Sequence, residues 1–397
     1  MSAKERMAIE RHHMPEREPT VRNQDFKEVN LGYDEDLARE EADRCLGCKK
    51  AKCIDGCPVG IDIPGFITKI AEGDLKAAAE IMLSANALPG ITGRVCPQEE
   101  QCEIVCVRGK KGTPVAVGHL ERYIADWARE NLDMKTLIPD PTGYRIAVVG
   151  SGPAGLTCAG ELAKKGHDVT IYEALHQPGG VLCYGIPEFR LPNDVIDSEV
   201  DRLRQMGVKI VCNVVIGRTF TIDELLNEEG YDAIFIANGA GLPIFMNIPG
   251  ENLKGVYSAN EYLTRSNLMR AYEFPNFDTP IVKGEQVVVF GGGNVAMDSV
   301  RTAKRLGATE ATLVYRRSRK EMPARNEEIA HAEEEEIIFK LLTNPVRYIG
   351  NEEGWVTGVE CIQMELGEPD DSGRRRPIPI KDSEFVIPCS VAIPAIG

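Results

Sequence analysis

The chain has 397 residues, 43% of them hydrophobic, the content of an ordinary soluble globular protein with room for two or three domains. Asp and Glu number 61 against 46 Lys and Arg, and a formal charge of −15 repels nucleic acid and anionic membrane alike. No stretch is long and apolar enough for a transmembrane helix, and the start MSAKERMAIERHHMPEREP lacks the apolar core of a signal peptide, so a cytoplasmic protein is expected.

Residues 1 to about 30 are polar and aperiodic, which predicts an extended or disordered arm. From GYDEDLAREEADRCLGC to LERYIADWARENL apolar residues recur at helical spacing, broken by Gly and Pro around a set of cysteines. Seven of the twelve cysteines lie here: Cys45, Cys48, Cys53 and Cys57 in a C-x2-C-x4-C-x3-C-P run, then Cys96, Cys102 and Cys106. In a reducing compartment such clustering points to metal ligation rather than disulfides. The other five, Cys158, Cys183, Cys212, Cys361 and Cys389, are scattered singly and read as core or incidental, with no dithiol for thioredoxin-reductase-type chemistry. The segment DMKTLIPDPTG carries the Pro and Gly marks of a linker.

At Arg145 the texture changes to strand, glycine turn and helix, and it does so twice: YRIAVVGSGPAGLTCAGELAKKGHDVTIYEA and EQVVVFGGGNVAMDSVRTAKRLGATEATLVYRR. A glycine turn in that setting is what a dinucleotide needs, with glycines for the tight turn and for close phosphate approach, and a helix start whose free N–H groups meet the pyrophosphate. In the first unit the turn contributes Gly150, Gly152 and Gly155, and the next strand ends on Glu173, whose carboxylate can accept from ribose hydroxyls and repel a 2′-phosphate. That suits FAD or NAD. In the second the turn contributes Gly291, Gly293, Asn294 and, at the last glycine position, Ala296; the next strand ends on Arg316 and Arg317. Guanidinium forks there suit the 2′-phosphate of NADP(H).

Between the two units, HQPGGVLCYGIPEFRLPNDV offers Gly179 and Gly180 for close backbone approach and Arg190 as a cation near bound phosphates, and YDAIFIANGAGLP closes a strand on Gly239. The acidic run Glu333 to Glu336 reads as a solvated helix face, and PDDSGRRRPIPI as a polar hairpin tip in which Arg374 to Arg376 face water.

The order of cysteine domain, GSGPAG with Glu173, PGG, GIPEFRLP, ANGA, GGGNVAMD and YRR resembles the small (β) subunit of NADPH-dependent glutamate synthase and its relatives, among them the ferredoxin-linked NADPH transhydrogenases, sulfide dehydrogenase and the N-terminal half of dihydropyrimidine dehydrogenase. The resemblance implies an α/β protein: a helical domain with two [4Fe-4S] sites at residues 1–140, the first part of an FAD domain at 141–242, an inserted NADPH domain at 243–390, and the start of a return to the FAD domain at 391–397. The family completes its FAD site after that return, whereas this sequence stops at SVAIPAIG, so a C-terminally shortened member is expected. It also implies electron flow from NADPH through FAD and two [4Fe-4S] clusters, and as partner a glutamate synthase large subunit or a ferredoxin-type or flavoprotein acceptor. No general acid or base is nominated.

Seven thiols leave two four-iron clusters one ligand short. Since the last cysteine of a ferredoxin-like run commonly serves the other cluster, Cys45, Cys48 and Cys53 are expected at one site and Cys57 with Cys96, Cys102 and Cys106 at the other. Structural zinc is the alternative, though it favours paired C-x2-C knuckles and only one is present. For the eighth bond the residues alone leave Glu121 and His119 open. The resemblance places an oxygen ligand at Glu121, completing the three-cysteine site.

Overall fold

The computed structural model describes residues 1–132 and 139–396, so the first six residues of the expected linker lie outside the described ones. The chain forms two compact units, one of residues 1–17, 28–183 and 190–239, the other of residues 18–27, 184–189 and 240–397. Among the described residues no helix is long and apolar enough to cross a membrane.

The first unit opens with a helical cysteine region. Asp34 starts the helix Glu35–Asp43 by accepting from Leu37 N at 2.9 Å, and Asp62 and Asp74 cap Ile63–Glu72 and Leu75–Ala85 in the same way. Between these last two, Gly73 at φ +78° ends the first helix in the left-handed conformation that glycine adopts without strain. Their apolar faces meet the helix Val117–Asn131 over Phe66, Ile67, Ile70, Met82, Leu120 and Ile124, all fully buried.

The stretch 1–17, expected to be extended or disordered, is instead ordered, with a helix at Ala3–Ala8. Its hold is electrostatic: Arg6 donates to the Cys45 carbonyl at 2.8 Å, Arg11 pairs with Glu103 at 2.8 Å, and Arg108 reaches back to the carbonyls of Arg6 and Ile9. Scanning for apolar periodicity misses an arm fixed by guanidinium groups.

The rest of the first unit is a parallel sheet of β1 (Arg145–Val149), β2 (Asp168–Tyr172), β3 (Lys209–Val211) and β4 (Ala233–Ile236) in the order β3-β2-β1-β4. Parallel neighbours demand crossovers, and the helix Pro153–Ala163 supplies the first. The helix Asn193–Gln205 binds the cysteine region to this sheet's layer: Glu199 accepts from Gly90 N at 2.7 Å and from Arg202, which also holds the Ala87 carbonyl.

In the second unit β5 (Gln286–Phe290), β6 (Glu310–Tyr315) and β7 (Ile338–Leu341) begin another parallel sheet. An antiparallel sheet follows, in which β9 (Val356–Pro369) pairs with β8 (Thr343–Gly350), β10 (Arg375–Pro379) and β11 (Phe385–Pro388). The last strand, β12 (Val391–Pro394), then returns to the parallel sheet, giving the order β12-β5-β6-β7. The sequence reading turned these final residues back toward the first dinucleotide domain. They lie instead beside β5, where Val391, Ala392 and Ile393 match Val287, Val288 and Val289 in register and every one of the six is buried.

The acidic run also differs from expectation. Glu333 and Glu334 are about half exposed, but Glu335 is fully buried and bonded by Arg22, Arg301 and Arg305, themselves buried. Burial pushes the Glu335 carboxyl upward, yet the Arg301 and Arg305 guanidiniums beside it hold it well below the usual carboxylate range. Arg301 and Arg305 also lie over the Phe189 ring, at 4.7 and 3.9 Å from its centroid.

Candidate functional site

The cysteines gather in two groups. Cys45, Cys48, Cys53 and Cys106 line one small cavity of about 30 Å³ with Leu46 and Val107. Burial pushes the Cys53 thiol up to about 12, and the neighbouring thiols of Cys45, Cys106 and Cys48 add to it; Cys45 is pushed up by burial and by Cys106 and Cys48 in the same way. The second group forms around Cys102, raised by burial and then by Glu103, Glu121 and Cys57. Cys96 closes the helix Pro89–Val95, and Thr92 of that helix donates to Glu121 Oε1 at 2.6 Å. Asn86 donates to the same oxygen at 2.9 Å, so Oε1 takes both hydrogen bonds and Oε2 neither.

This is not the expected division, which put Cys106 with Cys57, Cys96 and Cys102 and gave Glu121 to Cys45, Cys48 and Cys53. The physical reason is the close approach of two loops. Gly56 sits against the turn 101–105, where a Cβ would meet Val105 Cγ2 at 2.7 Å and Gln101 O at 2.9 Å. With the loops opposed there, the earlier cysteine of one falls beside the later cysteine of the other: Cys53 with Cys106, Cys57 with Cys102. Chain spacing carries no information on that crossing.

Glu121 is buried, and burial pushes its carboxyl up to about 7 despite the two hydrogen bonds. A carboxylate held that way, with neutral donors on one oxygen, fits a ligand whose missing positive partner is a metal centre. His119, the alternative, turns its Nδ1 to the Tyr33 hydroxyl at 3.1 Å. The donors present therefore fit two four-ligand iron–sulfur sites, one of four thiols and one of three thiols and a carboxylate.

At the first glycine turn Gly150 adopts φ +97°, and a Cβ on Gly155 would lie 2.0 Å from the Gly150 carbonyl oxygen, so strand and helix meet as closely as backbone allows. The helix beginning after Gly152 has no side-chain cap, which leaves its first N–H groups for a ligand. Glu173 is buried at the end of β2 and accepts from Ser151 N at 2.8 Å, from the Ser151 hydroxyl and from Leu175 N at 2.8 Å. The Ser151 oxygen in turn accepts from Gly179 N at 2.9 Å, and Gly180, at φ +55°, packs on Gly152. Ser151 thus pins Glu173, the first glycine turn and the PGG segment together; it is absent from the expected residues, though a hydroxyl between the first two turn glycines is its signal. Arg190 is buried just before the helix Asn193–Gln205, and Gly239 makes the turn after β4 at φ +70°.

The second glycine turn borders a cavity of about 740 Å³ lined by Gly291, Gly293, Asn294, Arg316, Arg317 and Arg374. A Cβ on Gly291 would lie 2.3 Å from the Ala395 carbonyl oxygen, so the turn is pressed against the end of β12. Asn294 accepts from Arg325 N at 3.0 Å, and Ala296 is fully buried where its helix meets the sheet. The two expected arginines both line it but differ: Arg316 is exposed, whereas Arg317 is buried and donates to Asp370 and to the Arg375 carbonyl, each at 2.7 Å.

Residues 22–132 match the family of dihydropyrimidine dehydrogenase domain II, 4Fe-4S cluster, and residues 144–380 match pyridine nucleotide-disulphide oxidoreductase. The chain is 36% identical over 394 residues to the glutamate synthase [NADPH] small chain of Escherichia coli K12, covering 98% of this chain and 83% of that one. The chain belongs to this family. Iron–sulfur clusters, FAD and NADPH are the cofactors that go with its two kinds of domain.

Relatives of other descriptions are as near. The NADP(+)-dependent formate dehydrogenase subunit beta of Moorella thermoacetica is 39% identical over 371 residues, 87% of this chain and 51% of the relative, so the chain spans about half the length of that protein. Among solved structures, a 2-naphthoyl-CoA reductase complex shares the fold with a TM-score of 0.51 and 19% identity, over 86% of this chain and 43% of the other.

Proposed function

We propose that the chain is an NADPH-dependent iron–sulfur flavoprotein oxidoreductase that passes electrons to a partner, the large subunit of a glutamate synthase. The observation that carries the reading is the pair of four-donor sets in a chain that also holds two glycine turns of opposite character, one backed by Glu173 and the other by Arg316. In this reading Cys45, Cys48, Cys53 and Cys106 hold one [4Fe-4S] cluster, and Cys57, Cys96, Cys102 and Glu121 hold the other. FAD lies at Gly150, Gly152, Gly155, Glu173, Gly179, Gly180, Arg190 and Gly239, and NADPH at Gly291, Gly293, Asn294, Ala296 and Arg316, with Arg317 on the wall of the same cavity.

When bound, the nicotinamide and flavin supply hydride chemistry and the clusters supply one-electron steps. The chain's own work is positioning and tuning. Ser151 and Leu175 N fix the Glu173 carboxylate for ribose hydroxyls, and Arg316 offers an always-charged fork to a 2′-phosphate. Glu121 supplies the second cluster with a hard, basic oxygen in place of a thiolate, and Asn86 and Thr92 orient it, which sets the two clusters apart in charge and potential. A second reading, a subunit feeding a different redox partner, is favoured by the Moorella relative, itself named as a formate dehydrogenase subunit.

The test is reconstitution of the purified chain with iron, sulfide and FAD, followed by NADPH-driven dye reduction. Cluster and flavin spectra with NADPH-dependent turnover are expected; a chain that binds no iron, or whose dye reduction ignores NADPH, refutes the reading. Adding a glutamate synthase large subunit with glutamine and 2-oxoglutarate, in parallel with a ferredoxin, then separates the acceptors.

A further inference from the structure

A mononucleotide carrying a 2′-phosphate brings a dianion to the end of β6, and a motif reader assigns both arginines of YRR to it. In the structure both line the cavity, but Arg317 gives its Nε and one terminal nitrogen to the hairpin between β9 and β10, through the Arg375 carbonyl and Asp370, while Arg375 holds Glu321 at 2.8 Å as a second tie. Asp370 also shapes the tip: its side chain accepts from Ser372 N at 2.9 Å, its backbone carbonyl accepts from Gly373 N and its N–H donates to the Arg374 carbonyl, both at 2.8 Å. With Gly373 at φ +76°, this is a defined turn and not a loose loop.

The docked tip brings Arg374 to the cavity that Arg316 already borders. Arg374 spends only its Nε, on Ser372 Oγ at 3.1 Å, and its two terminal nitrogens take no hydrogen bond among the described residues; Arg316 has no described ion pair at all. Two guanidiniums with free terminal nitrogens, Arg316 and Arg374, therefore border one dinucleotide-sized cavity, while Arg317 on the same wall has its Nε and one terminal nitrogen engaged by the hairpin. We propose that Arg374 is a 2′-phosphate ligand acting with Arg316, and that Arg317 is a positioning residue that docks the hairpin carrying it. This rests on the reading that the second glycine turn takes NADPH, and assigns the cofactor's phosphate specificity to a β-hairpin that lies far along the chain from the dinucleotide motif.

Titration calorimetry of the full chain with 2′,5′-ADP and with ADP tests it. The wild type is expected to prefer 2′,5′-ADP, and Arg374→Ala to weaken 2′,5′-ADP by about tenfold or more, the worth of one charge-assisted hydrogen-bond set, while ADP changes less than about twofold. Asp370→Asn separates positioning from simple electrostatics. Removing a negative charge beside a phosphate site strengthens phosphate binding if charge alone matters, whereas undocking the hairpin weakens it, and weakening is expected. The proposal is overturned if Arg374→Ala keeps the wild-type preference, if it weakens ADP equally, or if Asp370→Asn binds 2′,5′-ADP more tightly. A wild type with no preference for 2′,5′-ADP sinks the NADPH reading itself, and is thereby distinguished from a wild-type preference that Arg374→Ala leaves intact.

Discussion

Replacing Cys106 by Ser and Cys57 by Ser, in separate chains, gives opposite results under the two divisions of the cysteines. With Cys106 at the Cys45, Cys48 and Cys53 cavity, its loss leaves that cluster three ligands and leaves the Cys57, Cys102 and Glu121 group intact. Each substitution removes one donor of four, so each chain is expected to lose one cluster of two, about half the reconstituted iron and sulfide. Low-temperature EPR of the reduced protein then sorts the variants. Cys106→Ser should lose the same signal as Cys45→Ser, and Cys57→Ser the same signal as Cys102→Ser. Glu121→Ala belongs with the second pair, and Glu121→Gln should disturb that signal less, since an amide oxygen can keep the hydrogen bonds from Asn86 and Thr92. If Cys106→Ser and Cys102→Ser abolish one and the same signal, or if Glu121→Ala removes the signal lost in Cys45→Ser, the loop crossing at Gly56 does not set the ligand sets and the reasoning fails.

Glu335→Ala leaves Arg22, Arg301 and Arg305 buried without their shared carboxylate, and should cost about 3–5 kcal/mol, seen as a fall in Tm of roughly 6–20 °C by circular dichroism. The pH dependence follows from the same group. Because its folded pKa lies below the usual 4.5, its contribution is complete above about pH 4.5 and is lost as pH falls further, with a slope of up to about 1.4 kcal/mol per pH unit. Urea midpoints measured between pH 7 and pH 3 should therefore fall less in Glu335→Gln than in the wild type. Ser151→Ala removes the hydroxyl that joins Glu173 to Gly179, and should weaken FAD retention by about tenfold in a flavin-release assay with stability lowered by about 1–2 kcal/mol.

What could be read from the residues alone was whatever a short span of chain decides. A strand, a glycine turn and a helix lie within about thirty residues, and Gly150, Gly155, Glu173 and Gly291 occupy the places their spacing implied because the βαβ unit has only one right-handed way to close. The seven thiols were legible as candidate donors for the same reason, since residue type limits the chemistry, whereas Glu121 and His119 stayed open until the resemblance named Glu121. The partition of the thiols was not legible. It depends on how the loop 53–57 meets the turn 101–105, and the close approach at Gly56, which leaves no room for a side chain, is not written in the cysteine spacing. The four-glutamate run is a like case, since it straddles the helix end at Glu334 and its carboxylates point in different directions, so that only the packing of Arg22 and Arg301 selects Glu335 for burial.

Arginine misled most consistently, and the cause is physical. A guanidinium carries five donors in a fixed fork, so it serves equally as an anion ligand, a carbonyl clamp or half of a buried pair, and its place in sequence does not say which. Arg108 ties down an arm that composition read as loose, Arg317 ties a hairpin to the cavity wall it shares with Arg316, and Arg374 reaches that cavity from a tip that charge patterning assigned to water. The distinction that matters is which guanidinium nitrogens are already bonded. On that count the second unit divides: Arg22, Arg301 and Arg305 are buried and paired with carboxylates, and Arg317, though on the cavity wall, gives its Nε and one terminal nitrogen to the hairpin, whereas Arg316 and Arg374 border the cavity with nitrogens to spare. A buried, paired arginine has its desolvation offset within the fold and gains nothing from a ligand, so the arginines left half-solvated at a concave wall are the ones whose charge an incoming phosphate can use.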